Sequence, residues 1–495
     1  MNFAVVNLGC KVNRVESDDV AAHLAARGAE TPEADADLIV VNTCTVTGEA
    51  EKKTRKAVRR ALRANDRARV VVTGCAAAID RAFYENLDER VTVLGKAELG
   101  KLWEGEGGYQ VCGPAVSLCD GEPAVSLCDG GPASSPRDGG PALSPHGAAG
   151  ELAGPASTRA AQGAGGAARG VKPASSPHGA AGVLAAQGGG AAARGAAPAF
   201  SLLRFGPSFR SRVGVKVQDG CDNACTYCIV HVARGRATSR PADDVVAECV
   251  AYARAGAGEI VLTGINLGSY CDGAKRDPAA VRLADLLRLL LDATADAACR
   301  FRISSVEPRD VDDALVDVLA ASDGRVCRHL HLPLQAGSSK VLREMARPYD
   351  APRFVALVER LYAAVPELAL STDIIAGFPG ETDAEFQETL DVARACRFAK
   401  IHAFPYSRRD GTPAAARADQ VPPAVRERRA AALRALGDEL RAQEYARRVG
   451  TVERVLVESR GRGTTESYFE IPVPPDAQPG TLRELVLPPA ENSEG

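Results

Sequence analysis

Three thiols fall within eight residues, in the run Cys221-Asp222-Asn223-Ala224-Cys225-Thr226-Tyr227-Cys228. Three thiolates on one short loop can hold three irons of a [4Fe–4S] cube and leave the fourth iron without a protein ligand. A cluster built for electron transfer usually has four cysteine ligands. One with three offers a coordination site, which points to chemistry on a bound molecule. His231 follows Cys228 by three residues, so a Cys₃His zinc tetrahedron is the competing use of the same residues.

A second set consists of Cys10, Cys44 and Cys75. The first hundred residues alternate short β-branched runs (Ala4–Leu8, Leu38–Val41, Arg69–Val72, Val91–Leu94) with helical stretches at 17–28, 46–65 and 80–87. Strand alternating with helix implies an open parallel α/β sheet. Each of the three cysteines follows one of the first three runs by one to three residues. The carboxyl ends of parallel strands share one edge, where ligands bind, so these thiols are expected to meet in space. They suit a second iron–sulfur cluster with three protein ligands. The alternative is three buried structural thiols.

Regular alternation resumes after residue 200. Strands are expected at Val213–Val217, Glu259–Leu262, Arg300–Ser304, His329–Leu334, Ala369–Ile375 and Lys400–Phe404, with helices between them near 243–255, 281–292, 311–321, 338–346, 352–364 and 383–395. Six β/α repeats are too few to close an eight-stranded barrel, and chemistry belongs at their carboxyl ends. Val425 to Arg448 reads as an amphipathic helix, and Val452–Glu458, Tyr468–Val473 and Leu482–Leu487 as short strands.

The cysteine loop, with Tyr227 in its place, resembles that of the radical S-adenosylmethionine (radical SAM) enzymes. Gly9-Cys10-Lys11-Val12-Asn13, Asn42-Thr43-Cys44-Thr45-Val46-Thr47 and Thr73-Gly74-Cys75 are similar to the amino-terminal domain of the methylthiotransferases within that family, and most similar to its branch acting on threonylcarbamoyladenosine in tRNA. The resemblance implies an α/β fold in parts: an N-terminal open parallel α/β domain (1–104), a six-stranded partial (β/α) barrel of radical SAM type (201–423), a linking helix (424–448) and a small TRAM-like RNA-binding β-barrel (449–490). It implies two [4Fe–4S] clusters, on Cys221, Cys225 and Cys228 and on Cys10, Cys44 and Cys75. S-adenosyl-L-methionine would bind the open iron of the first and be split by one electron to a 5′-deoxyadenosyl radical. Contacts to it are expected from Tyr227, Gly264, Asn266, Ser304, Glu307, Gln335 and Asp373, with Arg234-Gly235 also following the pattern. The implied reaction adds a methylthio group to C2 of N6-threonylcarbamoyladenosine beside the tRNA anticodon, with an electron donor the sequence does not identify. Isopentenyladenosine in tRNA and a ribosomal-protein aspartate are the alternative substrates, and a non-catalytic, zinc-stabilised RNA-binding protein is the alternative of another class. The chain departs from the family pattern at His231-Val232 and at Ala336-Gly337-Ser338.

Composition narrows the setting. Of 495 residues, 45% are hydrophobic and 25% charged, and the net charge is −3, so a polyanion must be held by local patches rather than a global field. Lys52, Lys53, Lys56, Arg59, Arg60, Arg63 and their neighbours crowd one helix and are the best local candidate for phosphate contacts. The start lacks a basic region and a long apolar core, and no apolar run reaches membrane-spanning length. A cytoplasmic enzyme with no membrane attachment is expected, a chain of 14 cysteines reading as metal-binding rather than cross-linked. Cys112, Cys119 and Cys128 are poor ligand candidates, and Cys249, Cys271, Cys299, Cys327 and Cys396 are expected to pack as small apolar residues. Between 111 and 200, Gly, Ala and Pro make up 53 of 90 residues, so 105–200 reads as a low-complexity disordered insert without a catalytic role.

Overall fold

The computed structural model describes residues 1–45, 47–102 and 211–490. The expectations for the insert, and for Cys112, Cys119 and Cys128 within it, lie outside the described residues.

The amino-terminal domain is a parallel sheet of β1 (Asn2–Asn7), β2 (Ala29–Glu30), β3 (Leu38–Thr43), β4 (Arg69–Gly74) and β5 (Val91–Val93), in the order β2-β1-β3-β4-β5. All six residues of β3 are buried, as its unbroken Leu-Ile-Val-Val run requires of a central strand covered on both faces. Its helices are α1 (Lys11–Ala25), α2 (Gly48–Ala64), α3 (Cys75–Ile79) and α4 (Arg81–Glu85). The helix expected at 17–28 instead begins at Lys11, directly on Cys10. Buried polar residues hid it. Asn13 Nδ2 donates to the carbonyls of Leu8 (2.9 Å) and Thr43 (2.8 Å), so an asparagine sits where an apolar residue would signal the helix face.

Six parallel strands form the central domain. β6 (Arg212–Lys216) pairs with Glu259–Thr263, which pairs with Arg300–Ile303. Bridges Phe301–Val326 and Ser305–His331 carry the sheet to His329–His331, then Ala369–Ala376 and Lys400–Pro405. The order is sequential and the sheet open, as six repeats imply. Helix α1 lies along the first strand on its inner face. A Cβ added at Gly214 would lie 2.5 Å from Val15 Cγ2, so glycine is what lets α1 approach.

The helix Pro423–Arg448 leads to a four-stranded antiparallel sheet ordered Glu470–Pro472, Arg462–Thr465, Val452–Ser459, Leu482–Val486, consistent with the small barrel expected. Arg462–Thr465 was not foreseen as a strand. It carries no apolar alternation and is held by close backbone approach at Gly463, where a Cβ would meet Val455 Cγ1 at 2.5 Å.

This last domain closes the amino ends of the barrel strands. Tyr468 projects there, with its ring 4.5 Å from the Arg302 guanidinium and 4.9 Å from the His329 ring, and its hydroxyl accepting from Arg212 Nη1 at 3.0 Å. Beside it Glu259, fully buried, pairs with Arg300 (2.6 Å) and Arg302 (2.7 Å), which in turn donate to the carbonyls of Thr464, Thr465 and Glu466. Burial alone would raise the Glu259 carboxyl. Arg302 and Arg300 overcome it and hold the group far below the usual carboxylate range, so its stabilising contribution persists at every pH above that range. Glu259→Gln leaves two arginines uncompensated, and urea denaturation is expected to read a loss of about 3–5 kcal/mol.

Candidate active site

Two glycines set the first cysteine group. Gly9 and Gly74, with φ of +120° and +92°, precede Cys10 and Cys75 and turn the chain sharply off the ends of β1 and β4. A Cβ at Gly9 would lie 2.9 Å from Cys44 Sγ, which places Cys44 directly behind the Gly9-Cys10 turn. Burial raises the Cys75 thiol, and a charge on nearby Cys10 adds to the shift. Cys10, Cys44 and Cys75 thus follow the carboxyl ends of three neighbouring parallel strands, β1, β3 and β4.

Two arginines of the central domain reach this group. Arg234 ends α5 (Val230–Arg234), the turn of helix that follows Cys228. Its Nε donates to Cys75 Sγ at 3.1 Å, Nη1 pairs with Asp219 (2.8 Å) and Glu16 (3.1 Å), and Nη2 donates to Asn13. The side chain is wholly buried. Burial alone would raise the Glu16 carboxyl, but Lys216, Lys96 and Arg234 hold it below the usual range. This network is intact above the ordinary carboxylate pKa of about 4 and weakens as pH falls through the depressed folded values. Arg409, buried near Cys44, pairs with Glu51 at 2.8 Å, while its Nε and Nη2 have no partner among the described residues. Unpartnered buried donors beside a thiol fit an anionic group bound there.

The second group, Cys221, Cys225 and Cys228, lies beyond the end of β6. Each sulfur accepts an N–H: Cys221 from the backbone of Asn223 (3.4 Å), Cys228 from that of Val230 (3.4 Å), and Cys225 from Arg347 Nη1 (3.1 Å). Burial pushes the Cys228 thiol up to about 11, and its neighbours Cys225 and Cys221 add to the shift. Three thiols on one loop, Cys225 buried and Cys221 and Cys228 partly so, fit a site where a metal takes up their charge. Arg347 also approaches the Tyr227 hydroxyl at 3.5 Å and pairs with Glu307.

Around the strand ends, Asn266 Oδ1 and Ser304 Oγ are buried and have no partner among the described residues, which fits a polar ligand there. Gln335 adopts φ +67°, a cost that a non-glycine residue bears when its side chain must be aimed. Gly264 is otherwise. The room its missing Cβ leaves is taken by Gln218, whose Oε1 accepts from the Asn266 backbone at 2.8 Å, so that glycine serves packing under the site. Asp373 lies further along, its carboxylate 3.4 Å from His331 Nε2 and its strand position opposite His402. His231 lies on the exposed side of α5, and no ion pair or hydrogen bond of its ring occurs among the described residues.

Sequence comparison agrees with this arrangement. The protein-family description "Radical SAM superfamily" matches residues 215–393, and "Uncharacterized protein family UPF0004" matches residues 2–95. Threonylcarbamoyladenosine tRNA methylthiotransferase MtaB of Treponema pallidum is 33% identical over 95% of this chain and 94% of its own length. The Bacillus subtilis protein of the same name is 33% identical over 89% and 80%. This chain belongs to the radical SAM methylthiotransferase family, MtaB branch. A tRNA-2-methylthio-N(6)-dimethylallyladenosine synthase from Parafrankia reaches 45% identity, but over only 50% of this chain and 49% of the other. The methylthiotransferase is an enzyme transferring sulfur-containing groups, and its family implies S-adenosylmethionine and a [4Fe–4S] cluster.

Sequence reading missed Arg347 and Arg409. Neither stands at a diagnostic spacing, and only the folded chain brings them to a thiol. Among the described residues no helix is long and apolar enough to cross a membrane.

Proposed function

We propose that this methylthiotransferase modifies C2 of N6-threonylcarbamoyladenosine in the tRNA anticodon loop, using two [4Fe–4S] clusters. Cys221, Cys225 and Cys228 would hold one cluster, with S-adenosylmethionine at its open iron, and Cys10, Cys44 and Cys75 the other. The observation that carries the reading is Arg234. One buried guanidinium leaves the helix after Cys228 and donates to Cys75, which ties the elements carrying the two thiol groups together and supports a shared site. When bound, the clusters and S-adenosylmethionine supply one-electron cleavage of the sulfonium and a sulfur for transfer. The chain's own share is to hold the groups apart, dry and aligned. Arg347 and Glu307 brace the Cys225 side, and Asn266, Ser304 and Gln335 offer polar atoms to the S-adenosylmethionine amino acid and ribose. The unactivated aromatic C–H leaves no acidic proton for a base to take, which is why radical chemistry is required. Anticodon-loop bases are single-stranded and enter a pocket at low unstacking cost.

Mass spectrometry of nucleosides tests the reaction. The anaerobically reconstituted enzyme should add a methylthio group to an anticodon stem-loop carrying threonylcarbamoyladenosine. Product formed only on the isopentenyl stem-loop overturns the substrate assignment.

The RNA-facing side is expected to include α2. Lys52, Lys56, Arg59 and Arg63, spaced by three and four residues along one exposed stripe, flank a groove of about 350 Å³ and have no ion pair among the described residues. Replacing all four by Gln should weaken tRNA binding about tenfold or more and lower the salt slope of log K by about 3. Titrations at several salt concentrations check it.

A further inference from the structure

Lys11 is the first residue of α1 and the neighbour of Cys10. Its side chain is exposed, and its ammonium stands 5.4 Å from the centre of the Tyr468 ring at the inner face of the barrel. Other cations around that ring are matched: Arg302 by Glu259 and Arg212 by Glu458. Lys11 has no carboxylate partner among the described residues. His402 lies within electrostatic reach of both Lys11 and Asp373. Burial pushes its pKa below the ordinary value, with smaller contributions from His331, Lys400 and Lys11 and an opposing pull from Asp373. An ammonium with no carboxylate partner among the described residues therefore stands between a predicted cluster ligand, Cys10, and the Tyr468 ring, while Asp373 pairs with His331 at 3.4 Å.

We propose that Lys11 binds the carboxylate of the threonylcarbamoyl group and so selects that base over uncharged N6-substituted adenosines. The proposal rests on the substrate reading above and deepens it. The modified base carries a ureido N–H pair ending in a carboxylate. Asp373, given to S-adenosylmethionine by the family resemblance, is assigned here to the N–H groups instead, as the acceptor they need, and Lys11 is the cation the carboxylate needs. An isopentenyl group offers neither partner and would leave the ammonium facing apolar carbon, which costs binding. The same cation could serve a backbone phosphate instead, and the two sources are separable because only one changes with the base.

Two anticodon stem-loops decide it: one with threonylcarbamoyladenosine, and one with an N6-methylcarbamoyl adenosine that keeps the urea and every phosphate but lacks the carboxylate. Binding to the reconstituted enzyme is measured by fluorescence anisotropy. The wild type is expected to prefer the first RNA by about tenfold. Lys11→Met should bind the two equally, and Lys11→Arg should recover most of the preference. A cation holding only the Tyr468 ring in place would alter both RNAs alike. A preference unchanged in Lys11→Met, an equal loss on both RNAs, or a wild type indifferent to the carboxylate overturns the proposal. Failure of the wild type to methylthiolate the first RNA instead overturns the substrate reading, and is read by mass spectrometry rather than by binding.

Discussion

Cys75→Ala is expected to retain about four irons per chain and to cleave S-adenosylmethionine under reduction, while transferring no sulfur to tRNA. Cys225→Ala should lose cleavage and transfer together. The two variants divide the activity because the thiol groups sit on different elements. Cys75 closes β4 of the amino-terminal sheet, whereas Cys225 lies on the loop after β6. Each group has three thiols, and removing one leaves two ligands where a cube needs three. Iron and sulfide analysis with assay of 5′-deoxyadenosine separates the outcomes. A Cys75→Ala enzyme that keeps about eight irons and full transfer would remove the second cluster from the scheme. Zinc in place of iron in the wild type would restore the non-catalytic alternative.

Arg234→Met is expected to lower methylthio transfer by about a hundredfold and to shift the reduction potential of the cluster on Cys75 to more negative values, with S-adenosylmethionine cleavage changed far less. The physical reason is the hydrogen bond from Nε to Cys75 Sγ, made in a wholly buried setting where a cationic donor stabilises the more negatively charged reduced state. The same guanidinium pairs with Glu16 and Asp219, so the substitution also leaves these carboxylates with Lys96 and Lys216 alone. Arg234→Lys separates these effects. It keeps a charge for the carboxylates but cannot reach four acceptors at once, so stability should return further than potential does. Potentiometric titration followed by electron paramagnetic resonance reads the shift. An unchanged potential in Arg234→Met would reduce the residue to a structural brace.

The sequence carried the chemistry further than the architecture that joins it. Cys10, Cys44 and Cys75 were legible as one group because each follows a β-branched run, and parallel strands leave no other place for their ends. The six central strands were legible for the same reason. The start of α1 was not, since Asn13 and Ser17 face inward to bond β1 and β3 and break the apolar period. Nor was Arg462–Thr465, whose place depends on partners rather than on its own pattern. Arg347, Arg409 and the bond from Arg234 to Cys75 arise from contacts across 120 residues or more of chain, and no local spacing encodes them.

Tyr468 and the carbonyls of residues 464–466 occupy the floor of the barrel, held by Arg300 and Arg302. The terminal sheet is therefore not a detachable handle for RNA. Trimming the chain before Val452 would unseal the reaction chamber from below and admit water and dioxygen to its interior. Exchanging this module between relatives would succeed only if the arginine–glutamate seat travelled with it.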